Sequence, residues 1–237
     1  MGSGLTQPFF LEERFGPAAE LFDAQAWSDV SVATIRVLTV SAPTIVLGSS
    51  QSFDVVDIDE CASVGVHVVR RRSGGGAVWV NDDMVWVDVF VPADHVRWDD
   101  DIGRSTWWLG QAWADSLAQA GVSGAVVHRE SMVRTKWSSL ICFAGLGAGE
   151  VSVGTGKAVG ISQRRSRAGA LFQCGVVRAW DPTQFVRLLR FPDEANRSNA
   201  LTAARSAAFE VGPAAHEALR HLITNLTNPN PNPKCGV

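Results

Sequence analysis

Residues 70–79 read Arg-Arg-Arg-Ser-Gly-Gly-Gly-Ala-Val-Trp, and the interpretation of the whole sequence starts from this stretch. Three consecutive glycines let the backbone approach a ligand closely, because no Cβ stands in the way. Arginine side chains next to backbone N–H groups favour an anion. An isolated Gly-Gly-Gly run also occurs in ordinary hairpins between solvated charges, so the surrounding segments decide between the two interpretations.

Strand-like sequence lies on both sides of this stretch. Val64 to Val69 is rich in β-branched residues and leads into it. Val85 to Val91 follows and alternates with period two, with valines on one face and Asp88 between two aromatic residues on the other. We therefore expect the segment between them, whose residues 71–77 we call the glycine loop, to join two strands of one sheet.

The periodicity of the remaining sequence predicts further elements. Helices are expected at Pro17 to Trp27, Asp54 to Ala62, Asp100 to Ala120, Thr183 to Leu189, Ala195 to Ala208 and Ala214 to Leu226. Strands are expected at Val32 to Val40, Thr44 to Leu47, Ala125 to His128, Glu150 to Val153, Ala158 to Ser162 and Ala170 to Val177. These elements predict an α+β fold, a mostly antiparallel or mixed β-sheet flanked by helices.

The organisation of the chain is expected to be simple. No repeat or linker divides residues 1–227, which we expect to form a single catalytic domain. Residues 228–237 repeat Asn-Pro and are expected to be a disordered tail. Ser131 to Gly149 is long for a connection without secondary structure, which indicates a functional loop.

Composition excludes several classes of protein. The net charge is -3, which argues against nucleic acid as the main partner, because no broad basic field is available. The sequence shows neither a long apolar run nor the pattern of a signal peptide, so we expect a cytoplasmic protein without a membrane partner. The four cysteines have neither Cys-x-x-Cys pairing nor metal-ligand spacing, and they leave any metal site unknown.

Three motifs in order resemble the lipoate–protein ligase family of the biotin/lipoate ligase superfamily. The first is Arg70 to Val78, which reads RRxSGGGAV. The second is Gly156 to Arg165, GKAVGISQRR, and the third is Gly169 to Gln173, GALFQ. Two or more ordered motifs are far more specific than one, so the resemblance implies a biotin/lipoate ligase-like catalytic domain. Because few residues follow the motifs, we do not expect the C-terminal accessory domain of larger bacterial ligases.

The resemblance also implies site residues. Arg71 is expected to contact a nucleotide phosphate or an acyl carboxylate, and Lys157 to hold the carboxyl oxygens of the acyl group as the catalytic residue. Fixed cations with backbone donors suit the negative charge that develops when an acid is activated. The substrate-binding or nucleotide-binding set implied by the family is completed by Ser73, Gly74, Gly75, Gly76, Ala77, Val78, Trp79 and Gly160.

The activity implied by the family is attachment of a lipoyl or octanoyl group to a lysine of an apo lipoyl domain, on an E2 subunit or the glycine cleavage H protein. The route would be an acyl-adenylate made with ATP and Mg²⁺. One departure weakens this reading, because Val80 to Met84 replaces the His-Asp-x-Gly-Asn run of the ligases. Asp82 or Asp83 is an alternative metal contact.

Two alternatives remain open. Cys142, followed eight residues later by Glu150 and a strand, resembles the octanoyltransferases of the same superfamily, in which a cysteine takes the acyl group from an acyl carrier protein. A loop thiolate is a competent acyl acceptor, although free cysteine usually packs as a small hydrophobe. The other alternative is a non-catalytic lipoate or acyl-adenylate binding protein. Arg164 to Arg167 is expected to be a solvated turn or a contact to a nucleotide or an acidic acceptor.

Overall fold

The structure is a computed structural model that describes residues 7–23, 25–28 and 30–228. Apart from Asn228, the predicted tail lies outside the described residues. Within these residues, no helix is both long and apolar enough to span a membrane.

A large mixed sheet forms the centre of the described chain, and its seven strands follow the order β1-β2-β6-β10-β9-β8-β7. The strands are β1 Phe10–Gly16, β2 Thr34–Val40, β6 Met84–Pro92, β7 Ala125–Val127, β8 Val151–Val153, β9 Gly156–Arg165 and β10 Gly169–Val177. β1 pairs with β2 in parallel, and the other neighbours are antiparallel. The predicted α+β class is confirmed, although β1 was not expected from the sequence.

A second sheet holds the glycine loop. It contains β3 Thr44–Leu47, β4 His67–Arg70 and β5 Val78–Val80, in the order β4-β3-β5. The loop therefore joins β4 to β5, and the expectation that it joins β4 and Val85 to Val91 in one sheet is wrong. β5 was overlooked because it has only three residues and continues directly into the turn before β6.

Six helices lie around the sheets in the described residues. They are α1 Ala18–Leu21, α2 Ile58–Ser63, α3 Trp107–Gln119, α4 Thr183–Leu188, α5 Glu194–Ala207 and α6 Ala214–Thr227. The last three match their predictions closely, whereas α1 is shorter than expected. α3 starts seven residues later than expected, because the Asp101 carboxylate accepts backbone N–H groups in a turn before it and Ile102 is exposed.

β6 is buried on both faces, and its alternation separates two parts of the core. Val85, Val87, Val89 and Val91 lie in the cluster that α3 and α6 cover. Trp86 points to the opposite face and packs in a cluster between the two sheets. The period-two prediction for this strand is confirmed, and the face that carries Trp86 and Asp88 is the one turned toward the glycine loop.

The glycine loop folds back over the end of β3. The Arg71 N–H donates to the Leu47 carbonyl at 2.9 Å, and the Ser49 N–H donates to the Ser73 carbonyl at 2.9 Å. At Gly48 the two backbones touch, because a Cβ there would lie 1.8 Å from the Gly75 carbonyl oxygen. Glycine is required at this position by the close approach of the loop.

We predict that Gly48→Ala destabilises the protein, because the added methyl forces the glycine loop away from β3. Overpacking of this kind costs about 1–3 kcal/mol. The matched control is Gly74→Ala in the same loop, where a Cβ would meet no atom within 4 Å. Urea unfolding of the two variants checks the prediction, and equal stability of both would contradict it.

Candidate functional site

The Arg71 guanidinium is the internal support of the glycine loop. The residue is 2% exposed. Its Nε donates to Ser73 Oγ at 3.1 Å, its Nη1 to the Val46 carbonyl at 3.0 Å, and its Nη2 to the carbonyls of Gly74 and Gly76 at 2.8 and 3.0 Å. All three nitrogens thus bind the protein itself, and the expected contact to a phosphate or carboxylate stays a prediction.

The Cys142 side chain faces the same loop. The backbone N–H of Cys142 donates to the Ala77 carbonyl at 3.0 Å. This bond holds the start of a short 3₁₀ turn, Cys142–Ala144, against the loop. A Cβ on Gly75 would lie 3.7 Å from Cys142 Sγ and 3.0 Å from Arg71 Nη2. The thiol and the guanidinium therefore both lie within 4 Å of the position that a Cβ on Gly75 would take.

Burial and neighbouring groups act on Arg71 in opposite directions. Burial lowers the pKa of the guanidinium, and the nearby Cys142 and Glu150 side chains oppose that shift. The Arg71 guanidinium therefore interacts electrostatically with both side chains inside the site.

Lys157 lies next to Cys142 and forms a buried ion pair with Glu150. Its Nζ donates to Glu150 Oε2 at 2.7 Å and to the Cys142 carbonyl at 2.8 Å. The lysine and glutamate side chains are 3% and 6% exposed. Glu150 also accepts the N–H groups of Gly147 at 2.5 Å and Ile161 at 3.1 Å, so its orientation is fixed.

The β8–β9 hairpin explains how this pair forms. Lys157 stands on β9 and Glu150 directly precedes β8, so the turn between the strands returns the lysine toward the carboxylate. Gly160 lies against the pair, and a Cβ there would make ordinary van der Waals contacts with Glu150 Oε1 at 3.5 Å and with the Phe143 ring at 3.7 Å.

A chain of buried hydrogen bonds connects the glycine loop to the large sheet. Ser73 Oγ donates to Gln173 Oε1 at 2.6 Å and lies 2.8 Å from Ser162 Oγ. Gln173 Nε2 in turn donates to Asp88 at 3.3 Å. The loop is therefore fixed from both sides, by Arg71 to the small sheet and by Ser73 to the large one.

Asp88 ends this chain and is the least expected residue in it. It is 1% exposed, and Trp86 Nε1 donates to its Oδ1 at 2.7 Å. Burial raises the pKa of the Asp88 carboxyl to about 6, although hydrogen bonds from Trp86, Gln173 and Trp27 favour the ionised form.

The structure brings only part of the expected set together. Val78 faces the cluster between the two sheets, which also contains Cys142 and Phe143. Trp79 points to the opposite face of β5 and packs against Phe185 with ring centres 6.2 Å apart. Ala77 lies in the same cluster as Trp79. Of the described residues from Ala77 to the end of β5, only Val78 and Val80 therefore face the space beside Cys142.

Asp82 and Asp83 follow the glycine loop and are the expected alternative metal contacts. The Asp83 carboxylate forms an ion pair with Arg178, and a metal contact at either residue stays a prediction. Within residues 7–228 as described, no group of three or more His, Cys, Asp and Glu side chains is arranged to hold a metal ion.

Arg165 binds backbone carbonyls of the Asp99 and Asp100 turn, whereas the exposed Arg164 lines a cavity.

Sequence reasoning missed four polar residues of this site: Asp88, Glu150, Ser162 and Gln173. Gln173 and Ser162 lie inside motifs that carry the resemblance, yet their side chains had no assigned role. Asp88 carried a usable signal, because an acidic residue within a strand buried on both faces needs an explanation.

The family model for the lipoyl protein ligase A/B catalytic domain matches residues 21–216. An octanoyltransferase LipM from Moorella thermoacetica is 30% identical over 170 residues, which cover 71% of this chain and 62% of that protein. An octanoyltransferase LipM from Clostridioides difficile is 24% identical over 181 residues, 75% of this chain and 66% of that protein. The chain thus spans a little under two thirds of the length of these curated relatives.

Solved structures share the fold. A bipartite lipoate protein ligase from Thermoplasma acidophilum superimposes with a TM-score of 0.70, 18% identity and coverage of 92% of this chain and 81% of that one. A lipoate–protein ligase A bound with ATP gives a TM-score of 0.65, 17% identity and coverage of 92% and 84%. The chain belongs to the lipoyl protein ligase A/B catalytic domain family.

Proposed function

We propose that this protein is an acyltransferase that carries a medium-chain acyl group, octanoyl or lipoyl, on Cys142 and passes it to a lysine of a lipoyl domain. The observation that carries the proposal is the position of the thiol, which faces Gly75 beside the Arg71 guanidinium. The naming of the curated relatives as octanoyltransferases supports it.

The reaction has two steps, and both are acyl exchanges. In the first, Cys142 Sγ attacks the carbonyl carbon of an acyl thioester on a carrier protein, the new C–S bond forms, and the carrier thiol leaves with the proton. In the second, the lysine amine attacks the Cys142 thioester, an amide forms, and the thiol is regenerated. The thioester donor is already activated, so no ATP is consumed.

Lys157 supplies positive charge where each step develops negative charge. Its ammonium is held between Glu150 Oε2 and the Cys142 carbonyl, next to the reacting residue. A fixed cation in a water-poor site stabilises an oxyanion without reorganising during the reaction. Glu150 acts through Lys157 and is a positioning residue, because its carboxylate holds the ammonium in place.

The glycine loop supplies neutral donors for the same charge. Among the hydrogen bonds of the described residues, the backbone N–H groups of Gly75 and Gly76 have no acceptor. Both residues border the Cys142 side chain or its backbone. Backbone N–H groups aimed at a tetrahedral oxyanion form the usual stabilising arrangement in acyl transfer.

The ATP-dependent ligase is the competing activity within the same family. It would bring Mg²⁺ with the nucleotide, and this chain has Val80 to Met84 where the ligases have the His-Asp-x-Gly-Asn run that helps to hold ATP and metal. The transferase uses residues that already face one another. The proposed acceptors are apo lipoyl domains of E2 subunits or the glycine cleavage H protein, and the proposed donor is an acyl carrier protein. We further propose that residues 1–227 form one catalytic domain and that the protein is cytoplasmic.

The activity is tested by intact mass of an apo lipoyl domain in two mixtures. One contains octanoyl-acyl carrier protein without ATP, and the other contains free lipoate with ATP and magnesium. We expect the acceptor to gain an octanoyl group in the first mixture. Modification in the second mixture alone would replace the transferase by a ligase, and silence in both with lipoate binding would favour the non-catalytic alternative.

Cys142→Ala is predicted to lower transfer from octanoyl-acyl carrier protein by roughly 10³-fold or more, because the loss of a catalytic nucleophile has effects of at least this size. Cys61→Ala is the matched control, since Cys61 is buried in α2 and lies in a different cluster. The rate of acceptor modification decides, and equal rates for both variants would contradict a role for the Cys142 thiol.

The Lys157–Glu150 pair allows catalysis and stability to be separated. Lys157→Met alone leaves the Glu150 carboxylate buried without its partner, and breaking a buried pair costs about 3–5 kcal/mol. Adding Glu150→Gln removes that charge and restores most of the stability. The single and the double variant are both predicted to have lost transfer activity. Urea unfolding measures their stability and a turnover assay their activity. A double variant that is both stable and active would contradict the role of Lys157.

Glu150→Gln alone is predicted to reduce transfer by about 10²-fold, the size expected when a reacting group is misplaced by about 1 Å. Glu150→Asp keeps the charge and should recover part of the rate. If Glu150 had only a structural role, the two variants would have lower unfolding midpoints but equal transfer rates. Thermal unfolding and transfer rates, measured in parallel for both variants, distinguish the two cases.

A further inference from the structure

β1 is an edge strand of the large sheet, and it carries several exposed apolar side chains. Phe10, Leu11 and Phe15 are 61%, 43% and 76% exposed. β7, at the opposite edge, has three residues and one exposed large apolar side chain, that of Val126. A long edge strand with exposed aromatic residues is a template for pairing with another chain. β1 is therefore the edge of this sheet at which we expect a partner.

The backbone of β1 offers alternate residues to a partner strand. The Phe10 N–H donates to the Ala33 carbonyl at 2.8 Å, so the even-numbered residues of β1 bond to β2. Backbone groups of successive residues in a strand point to opposite sides. The N–H and C=O groups that face away from β2 are therefore those of Leu11, Glu13 and Phe15. Among the described strands, none pairs with this side of β1.

The open part of the edge is limited at both ends. At one end, the Phe9 N–H donates to the Leu226 carbonyl at 3.2 Å, so α6 occupies the donor that a further pair would need. At the other end, Pro17 follows the strand and has no N–H to donate. Positions 11, 13 and 15 are left to pair with another chain.

The sequence of β1 is complementary to a second copy of itself. Two identical edge strands related by a two-fold axis pair in the antiparallel direction. When Glu13 of both copies lies on this axis, Leu11 of one copy faces Phe15 of the other. The three outward residues of each copy then meet the same three residues of the other copy. All of their outward N–H and C=O groups are paired in this register.

The side chains agree with the same register. Leu11 opposes Phe15 of the other copy twice by symmetry, which buries exposed apolar surface. Glu12 opposes Arg14 of the other copy, also twice. Glu12 already accepts Arg36 Nε at 2.8 Å and lies 3.3 Å from Arg14 Nη2 of its own strand. The arginine of a second copy would therefore extend an existing ion pair.

One contact opposes the association, and it also identifies the register. Glu13 faces Glu13 of the other copy, and like charges that are directly opposite each other destabilise a strand pair. Moving the axis by one residue, to Glu12, would place Leu11 against Glu13 and lose the apolar pairs. The register on Glu13 is thus the more complementary one, at the cost of a single repulsive pair.

We propose that two copies of this chain associate through β1, antiparallel and with Glu13 on the two-fold axis, so that their large sheets join edge to edge. The proposal does not depend on the acyltransferase function. An interface built on one short strand is small, and interfaces of this class are weak. The association is therefore reversible and depends on the protein concentration.

Sedimentation equilibrium of the full chain measures the association, over protein concentrations of about 1 to 500 µM. The mean mass is expected to rise from one chain toward two. Phe15→Glu is expected to weaken the association at least tenfold, and the side chain is exposed enough for the fold to tolerate the change. The matched control is Val126→Glu on β7, which should associate like the unchanged protein. A monomer at every concentration, or equal association of both variants, would overturn the proposal.

Glu13→Gln tests the register with an effect of opposite sign. Removing the like-charge pair is expected to tighten the dimer by up to about fivefold, the size of an unfavourable cross-strand pair. Asp115→Asn on the surface of α3 makes the same change in net charge and should have no effect. Weaker or unchanged association of Glu13→Gln would overturn the proposed register.

Oxidation with diamide closes the test. In an antiparallel pair that exchanges hydrogen bonds, the two Cα atoms lie about 5.5 Å apart, a distance that a disulfide spans. Glu13→Cys is expected to give a covalent dimer in which peptide mapping links position 13 to position 13. Arg14→Cys is the control, because its two copies are offset by two residues, about 7 Å, along the strands. Equal linking of both variants, or no link through position 13, would overturn the proposal.

Discussion

Arg71 donates hydrogen bonds from all three guanidinium nitrogens into the protein, and the arrangement of the candidate site depends on this buried side chain. It holds the glycine loop on the small sheet, while Ser73 ties the same loop to the large sheet through Gln173. Removing the guanidinium would leave several buried carbonyls without donors, each at a cost of about 1–3 kcal/mol. The loop is thus a rigid element, and its rigidity lets Gly75 hold a fixed position against the Cys142 thiol.

The site places four buried ionisable side chains around one loop, in three different environments. Lys157 and Glu150 neutralise each other and are held by backbone groups, so their charges are fixed in space. Arg71 is surrounded by carbonyl oxygens. Asp88 has only neutral donors, and burial raises its pKa. The fixed charge of Lys157 suits catalysis, because a preorganised cation stabilises a developing oxyanion.

The sequence predicted the parts of the molecule that depend on local pattern. The alternation of β6 and the last three helices follow from periodicity alone. The division into two sheets did not follow, because β5 has three residues and its partner β3 is distant in the chain. Glu150 and Asp88 were missed for a similar reason. Their roles depend on the β8–β9 hairpin and on strand order, which bring Lys157 and Gln173 to them. The late start of α3 reflects the Asp101 turn, whose hydrogen bonds compete with the helix.

The central claim is that Cys142 carries the acyl group, and a single-turnover experiment tests it most directly. The protein is mixed with octanoyl-acyl carrier protein without acceptor and without ATP, quenched in acid, and measured by intact mass followed by peptide mapping. The account predicts one added octanoyl group on the peptide that contains Cys142, which disappears when an apo lipoyl domain is added before the quench. An acceptor that becomes modified while the protein never gains mass at Cys142 would contradict the account.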